Sequence, residues 1–535
     1  MFVLFSTGLV IAFFIYDAST YANNPLVEDV PVSEMALNPR RGGPKNLPIA
    51  DVLVDDKDSQ HMEAQKDKPK LVILGTGWGS VALLKSLNPG DYHVTVVSPV
   101  NYFLFTPMLP SATVGTLGLR SLVEPIRLIV QRVRGHFLRA EAVDLDFAEK
   151  LVEVSQVDCN GIKQNFYLPY DKLVIGVGST TNPHGVKGLE HCNFLKSVDD
   201  ARQIKNKVLQ NLEVACLPTT TDVERKRLLS FVVCGGGPTG VEFAAELFDM
   251  LNEDLFRSFP KILRNEISVH LIQSRSHILN TYDETVSLYA EQRFAHDQVE
   301  VLTNSRVKEV RSDKILFTQI ENGNSVVKEI PMGFCLWSTG VLSFLRTIAW
   351  EKGRDPEKVH LTFKEWRNVA MRVKKRFPQA TTHLKRVDRL FEQYDKDRSG
   401  TLDFEELHEL LSQIDTKLTS LPATAQRANQ QGQYLGRKFN KMAAASPDLK
   451  ANEIDYAVLD ETVYNAFEYK HLGSLAYIGN AAVFDINGLS WGGGLLAVYL
   501  WRSIYFAQSV SLRTRVMLAM DWAKRALFGR DMMNF

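Results

Sequence analysis

An α/β chain with two doubly wound sheet units is the fold this sequence predicts, on three observations. An apolar run, LVIL, leads into Gly75, Gly77 and Gly79; a second, FVVC, leads into Gly235, Gly237 and Gly240; and a strand–helix–strand succession starts near residue 69. A strand that ends in glycines and passes into a helix presents unpaired N–H groups and the positive end of the helix dipole to a pyrophosphate. One such turn is a weak signal, but two suggest a protein that holds two dinucleotides.

The chain opens on an apolar stretch, FVLFSTGLVIAFFIY. At about fifteen residues it is slightly short of a bilayer span. No basic residue precedes it and no small-residue cleavage site follows, so an uncleaved membrane anchor is favoured over a secretory signal. No Arg-rich presequence precedes Met1, which fits a truncated start. Residues 17–68 run polar and proline-dotted, as a linker would.

From residue 69 the pattern gives a strand at 71–74, a helix at about 79–87 and a strand at 93–98. Ser80 stands where a third glycine would, and a residue that small still allows close helix-to-strand packing. SPVNYFLFTPMLPSATVGTLGLRSL, rich in aromatics and prolines without a simple period, reads as a shaped loop over a ligand, with a packed loop core as the alternative. Strand-like LVEV and KLVIGVGS lead to a helix near 198–212 and then to the second unit, inserted in the first. There GGGPTGVEFAAEL continues as an amphipathic helix, and SVHLI supplies the next strand.

Farther on, Asp395, Asp397, Ser399, Thr401, Asp403 and Glu406 occupy positions 1, 3, 5, 7, 9 and 12 of a calcium loop, with Gly400 at the sharp turn. KRVDRLFEQY and FEELHELLSQI are its flanking helices. No second loop is evident; residues 357–378, helical and basic, are the candidate degenerate partner. At the C-terminus, GLLAVYLWRSIYFAQSVSLRTRVMLAMDWAKRALFGR interleaves apolar residues at helical spacing with Arg502, Arg513, Arg515, Lys524, Arg525 and Arg530. Such a segment lies in a membrane interface with its cations near anionic headgroups, or buries itself as a helical hairpin at a dimer interface.

Length allows two to four domains; the chain divides into five stretches, 1–68, 69–227, 228–340, 341–415 and 416–535, as anchor and linker, first sheet unit, second sheet unit, calcium insertion and C-terminal return to the first unit. Lys and Arg number 62 against 62 Asp and Glu, so nothing points to nucleic acid. Cys159, Cys192, Cys216, Cys234 and Cys335 are scattered, without CxxC or metal spacing, and read as buried or incidental thiols.

Taken together, SPVNYFLFTPMLPS, YDKLVIGVGS, FLKSVDDA, VVCGGGPTGVEFAAEL, LWSTG, LPATAQRANQQGQYL, GSLAYIGNAAVFD and DWAKRALFGR resemble the type II NADH dehydrogenases, single-chain NAD(P)H:quinone oxidoreductases, over residues 69–535. The resemblance implies two Rossmann-like domains binding FAD and NAD(P)H, non-pumping electron transfer to ubiquinone, and a C-terminal region on the membrane through which members dimerise. It implies that Gly340 of LWSTG joins the cofactor contacts, and that Glu242 and Glu246, one turn apart on the second-unit helix, look toward nicotinamide and flavin. The pair Gln426 and Gln430, spaced i, i+4 beside Ala425 and Ala428, is the candidate quinone contact. A disulfide reductase of this architecture would carry a redox cysteine pair after the first turn, and this chain has none. Calcium loop and membrane attachment together resemble the external mitochondrial members, at the intermembrane-space side of the inner membrane.

Two expectations come from departures. After LWSTG the family continues through a strand ending in a Gly-Asp pair that meets the flavin ribityl chain; here Val341 runs into FLRTIAWEKGRDP, and the only Gly-Asp pair is Gly90–Asp91. FAD is therefore expected to bind weakly, with an interrupted segment near 338–360. At the end of the second strand of the second unit, where an acid would select NADH, stands neutral Gln273, with Arg275 two residues on, so NADPH is expected to be accepted. The alternatives are a calcium-binding membrane protein that keeps the scaffold without turnover and, more weakly, a reductase of a protein partner.

Overall fold

Strand β1 (Lys70–Leu74) reads KLVIL and is buried from Leu71 onward, as a strand covered on both faces of a parallel sheet must be. Helix α1 (Trp78–Ser86), β2 (His93–Ser98), β3 (His136–Arg139) and β4 (Lys172–Ile175) complete the first unit, whose parallel sheet has the order β4-β1-β2-β3. The computed structural model describes residues 12–19; 32–343 apart from 159, 182–184, 255–257, 261–262, 281, 322–323 and 340; the pairs 361–362 and 401–402; 424–445; and 467–533 apart from 487–488 and 532.

Helix α2 (Val198–Ala215), started by a capping box between Ser197 and Asp200, leads to the second unit. That unit repeats the plan with β5 (Ser230–Cys234), α3 (Pro238–Glu253), β6 (Ser268–Ile272), α4 (Glu284–His296), β7 (Val299–Leu302) and β8 (Phe334–Trp337), in the parallel sheet order β7-β6-β5-β8. Each sheet is covered on one face by an antiparallel three-stranded layer, residues 141–169 on the first and 305–331 on the second. The opposite faces share one core, in which Leu71, Ile73 and Leu83 of the first unit join Phe231, Phe243 and Leu271 of the second.

Helix α5 (Ala425–Ala445) packs along α1, because Gly432 and Gly436 let the two backbones approach: a Cβ at Gly432 would stand 2.1 Å from the Gly79 carbonyl oxygen. An antiparallel sheet of β9 (Ser474–Tyr477), β10 (Ala482–Ile486) and β11 (Leu489–Gly493) follows, then α6 (Leu495–Gln508) and α7 (Leu512–Phe528).

Several expectations change here. Residues 32–68 are no free linker: Ile49 pairs with Tyr167, Lys45 binds Glu153 at 2.5 Å, and Asp56 is buried against His93 and His136 of the first sheet. Residues 12–19 are an exposed helix, no helix among the described residues is long and apolar enough to cross a membrane, and 2–11 lie outside them. Of the C-terminal cations, Arg530 is buried between Glu253 and Asp254, Arg525 pairs with Glu253, Lys524 with Asp521, Arg513 and Arg515 bond backbone carbonyls, and Arg502 sits over Tyr499 and Trp522. What faces outward is apolar: Leu495, Leu496 and Tyr499 on α6, and Leu512, Val516, Met520 and Phe528 on α7. Three cysteines that look scattered in sequence meet: Cys335 Sγ lies 3.3 Å from Cys192 Sγ and 3.8 Å from Cys234 Sγ. Of the calcium loop only Thr401–Leu402 is described, pairing antiparallel with Leu361–Thr362, so this part of the stretch read as helical is a strand. Asp395, Asp397, Ser399, Asp403, Glu406 and the expected interruption at 344–360 lie outside the described residues.

Candidate functional site

Both glycine turns take the geometry a dinucleotide needs. Gly75 and Gly235 have φ of 95° and 118°, the left-handed region that side chains avoid, and a Cβ on either would meet the Gly176 or Ser338 carbonyl oxygen at 2.4 or 2.6 Å. Gly77 and Gly237 are the N-caps of α1 and α3; neither helix has a side-chain cap, and a Cβ on Gly237 would enter open space. The first N–H groups of both helices are therefore free for an external anion. Gly240 packs against Gly235 and Gly79 against Ala428, while Ser80 Oγ is buried without a partner beside Gly176. Trp337 Nε1 and Thr339 Oγ1 are likewise buried and unpaired, next to the second turn. Cradles that a Cβ would fill, uncapped helix ends and orphaned polar atoms all fit two nucleotide pyrophosphates.

The loop of residues 98–122 connects the turns. Trp78, at the first position of α1, contacts Phe103 and Phe105 with ring centres 5.1 and 5.3 Å apart, Phe105 meets Tyr505, Tyr505 meets Trp501, and Trp501 meets Tyr477. A continuous aromatic wall thus runs from the first turn to α3. The loop is gripped from the C-terminus: Gly118 N and Ser121 Oγ donate to Asp521, and Arg530 Nε donates to Thr116.

Helix α3 buries three carboxylates on one face, Glu242, Glu246 and Asp249. Glu242 receives the Tyr477 N–H at 3.3 Å, and burial raises its pKa to about 8, with the charge of Glu246 adding. Glu246 is used internally: Ser111 and Thr116 donate to it at 2.6 and 2.9 Å, and Arg530 stands 3.9 Å away. It holds the loop in place, whereas Glu242 keeps an environment able to store a proton. Asp249, raised by burial to about 7, accepts from Tyr477 Oη at 2.6 Å. Neither Asp249 nor Tyr477 is a site candidate from the sequence, and Arg530 stands there only as an interface cation; the i, i+4, i+7 spacing of acids in an otherwise apolar helix is the signal for Asp249.

Gln426 and Gln430 do lie together on α5, but their amides are engaged. Gln426 accepts from Tyr469 Oη and donates to the Gly473 carbonyl; Gln430 donates to the Lys470 carbonyl at 2.7 Å and accepts from Lys470 N at 3.0 Å. They clamp residues 469–473 across α5, which itself rests on the first turn.

Gln273, at the end of β6, lies against Gly236 of the second turn, donates to the His277 carbonyl and accepts from Ser274 N. Arg275 is exposed beside it. Gly340 lies outside the described residues.

With this geometry in view, relatives are recognisable. Residues 69–349 match the pyridine nucleotide-disulphide oxidoreductase family, 471–531 the NDH2 C-terminal domain, and 386–414 the EF hand domain. The chain is 36% identical over 528 residues to the external alternative NAD(P)H-ubiquinone oxidoreductase B1, mitochondrial, of Solanum tuberosum, covering 88% of this chain and 91% of that one. It is 36% identical over 496 residues to the external NADH-ubiquinone oxidoreductase 2, mitochondrial, of Saccharomyces cerevisiae, covering 87% and 82%. NDH2 from Plasmodium falciparum, solved in complex with NADH, superposes with a TM-score of 0.70 at 28% identity, covering 87% of this chain and all of the other.

Proposed function

Because this chain belongs to the type II NAD(P)H:quinone oxidoreductases, we propose that it oxidises NADH or NADPH with FAD as its flavin and reduces ubiquinone under calcium control, at the intermembrane-space side of the mitochondrial inner membrane. The observation that carries this reading is the contact of α5 with α1, which sets the quinone-type motif beside the first glycine turn, while the aromatic wall runs from that turn to helix α3 of the second unit. Flavin, when bound, would take a hydride from the nicotinamide and return two electrons to the quinone.

The chain's own residues supply position and protons. The N-terminus of α1 would hold the FAD pyrophosphate and that of α3 the pyrophosphate of NAD(P)H. Glu242, with its pKa raised to about 8, holds a proton beside the aromatic wall, and quinol formation consumes protons. Gln426 and Gln430 act as positioning residues that hold 469–473 at the site. Gln273 presents no anion to a 2′-phosphate, which supports use of NADPH. The apolar ridge of α6 and α7 supports seating on the inner-membrane lipid, with a homodimer through the same helices as its competitor for that surface. Nothing favours the alternative of a scaffold without turnover.

FAD is held more loosely than in relatives with the Gly-Asp strand. In the first sheet β4 is the outer strand among the described residues, and all four of its residues are half-exposed. A missing charge-assisted hydrogen bond to the ribityl chain weakens binding roughly tenfold to a hundredfold.

The test is steady-state reduction of a ubiquinone analogue by the full chain on anionic vesicles, with FAD in excess. Turnover with NADH and with NADPH, raised by calcium in the native chain and unresponsive in Asp395→Ala/Glu406→Ala, is expected. Flavin-replete protein that oxidises NADH yet reduces no quinone would overturn the reading. Dialysis should leave less than one flavin per chain; full retention would reject the loosened site.

A further inference from the structure

We propose that Asp56, His93 and His136 form a binding site for one divalent transition metal, zinc by the chemistry of its ligands, which staples the N-terminal segment to the first sheet. His93 and His136 are the first residues of the neighbouring strands β2 and β3; the parallel register sets His136 beside Thr95, two residues from His93 along β2, and the two imidazoles stack with ring centres 4.6 Å apart and planes at 27°. Asp56 comes from the segment before β1, and its Oδ1 lies 2.7 Å from His93 Nε2 and 3.0 Å from His136 Nε2. The three ligand atoms lie within 4.8 Å of one another, and the residues are 6%, 6% and 2% exposed.

The surroundings orient two of the three ligands. Leu53 N donates to Asp56 Oδ2 at 2.7 Å, leaving Oδ1 for the shared point. Asp55 Oδ1 lies 2.7 Å from His136 Nδ1, which leaves Nε2 to face Asp56. A carboxylate on the far nitrogen of a histidine is the arrangement that fixes a metal-ligating tautomer. Two imidazoles and one carboxylate suit zinc far better than calcium or magnesium, which prefer oxygen donors alone. Metal–ligand bonds of about 2.0–2.2 Å place tetrahedral ligand atoms roughly 3.3 Å apart, so small outward shifts of these side chains admit the ion, with water at the fourth position.

The cluster stands at the N-terminal ends of β2 and β3, whereas the glycine turn follows the C-terminal end of β1. Across a six-residue strand that is a separation of roughly 17 Å, so the ion holds structure and takes no part in electron transfer. Gln65, tied through Nε2 to the Arg134 carbonyl, extends the same attachment.

Titration of the chelator-stripped full chain with zinc chloride, in calcium sufficient to occupy the EF-hand loop, tests this. One zinc per chain, a higher melting temperature and slower proteolysis of residues 51–68 are expected, with quinone reductase turnover unchanged. His93→Gln and Asp56→Asn should weaken binding at least a hundredfold, and Asp55→Asn, outside the ion's own contacts, about ten- to a hundredfold. Should those variants fold poorly, cobalt(II) in the native chain gives the independent reading: the intense visible bands of a tetrahedral site are expected. Absence of zinc binding at micromolar metal, absence of those cobalt bands, or binding indifferent to His93→Gln and Asp56→Asn would each overturn the proposal and leave a proton-bound latch.

Discussion

Beside β1 of the first unit lies β4, reading KLVI with every residue half-exposed; beside β5 of the second lies β8, reading FCLW with every residue buried. Both strands are apolar, so composition does not explain the difference. Residues 305–331 pack on the second sheet together with Val186, Leu189 and Phe194, and close β8 from outside. The first unit instead borrows its closure from distant chain, through α5 on α1 and the C-terminal helices on the 98–122 loop. The outer strand of the second unit is thus covered by chain close to it in sequence, 186–194 and 305–331, while the first unit is closed by segments that return more than 300 residues later in the chain. Long-range closure is the more vulnerable design, because loop-closure entropy precedes the contacts that reward it.

The largest expected effect breaks the borrowed side alone. Gly432→Leu places a side chain on the Gly79 carbonyl, at a cost on the order of 3 kcal/mol or more, and should empty the flavin site while leaving NADH binding to the second unit within twofold. Equal loss of both would show that the two units fold as one.

Next comes the buried Glu242. Its folded pKa of about 8 lies above the unfolded value, so the native state holds a proton that the unfolded chain has lost, and stability falls as pH rises from about 4.5 to 8. Glu242→Gln removes that dependence and should be the more stable protein above pH 8, by roughly 2–3 kcal/mol in denaturant melts. Parallel pH profiles for the two proteins would contradict the buried, protonated state.

Gln430→Ala deletes two hydrogen bonds to Lys470, worth about 2 kcal/mol together. Quinone reduction should fall severalfold while NADH-dependent ferricyanide reduction holds, because the clamp serves the borrowed side. The smallest effect falls on the second unit: Gln273→Glu should lower NADPH use relative to NADH about tenfold, near 1.4 kcal/mol, with flavin content unchanged. A ratio that does not move would place the 2′-phosphate away from the end of β6.

Local features are legible in the order of residues. Glycines at 75, 77, 235, 237 and 240, apolar runs before them and helices after them follow from backbone sterics and short-range periodicity, and the strands at 70–74 and 93–98 and the helix at 198–215 lie within a few residues of where the pattern puts them. Residue types that act in sequence order, such as a calcium loop, are readable for the same reason. Tertiary structure alone decided which side chains meet. Gln426 and Gln430 carry the right spacing for a ligand, yet Lys470 and Gly473 occupy their amides; Arg530 looks like a surface cation and is buried among Glu246, Glu253 and Asp254. Cys192, Cys234 and Cys335, and Asp56, His93 and His136, are far apart in sequence and converge because neighbouring parallel strands, and the segments packed on them, bring distant parts of the chain together. Hydrogen-bond partners, burial and the pKa values they shift depend on distances between segments, and no periodicity within a segment encodes those.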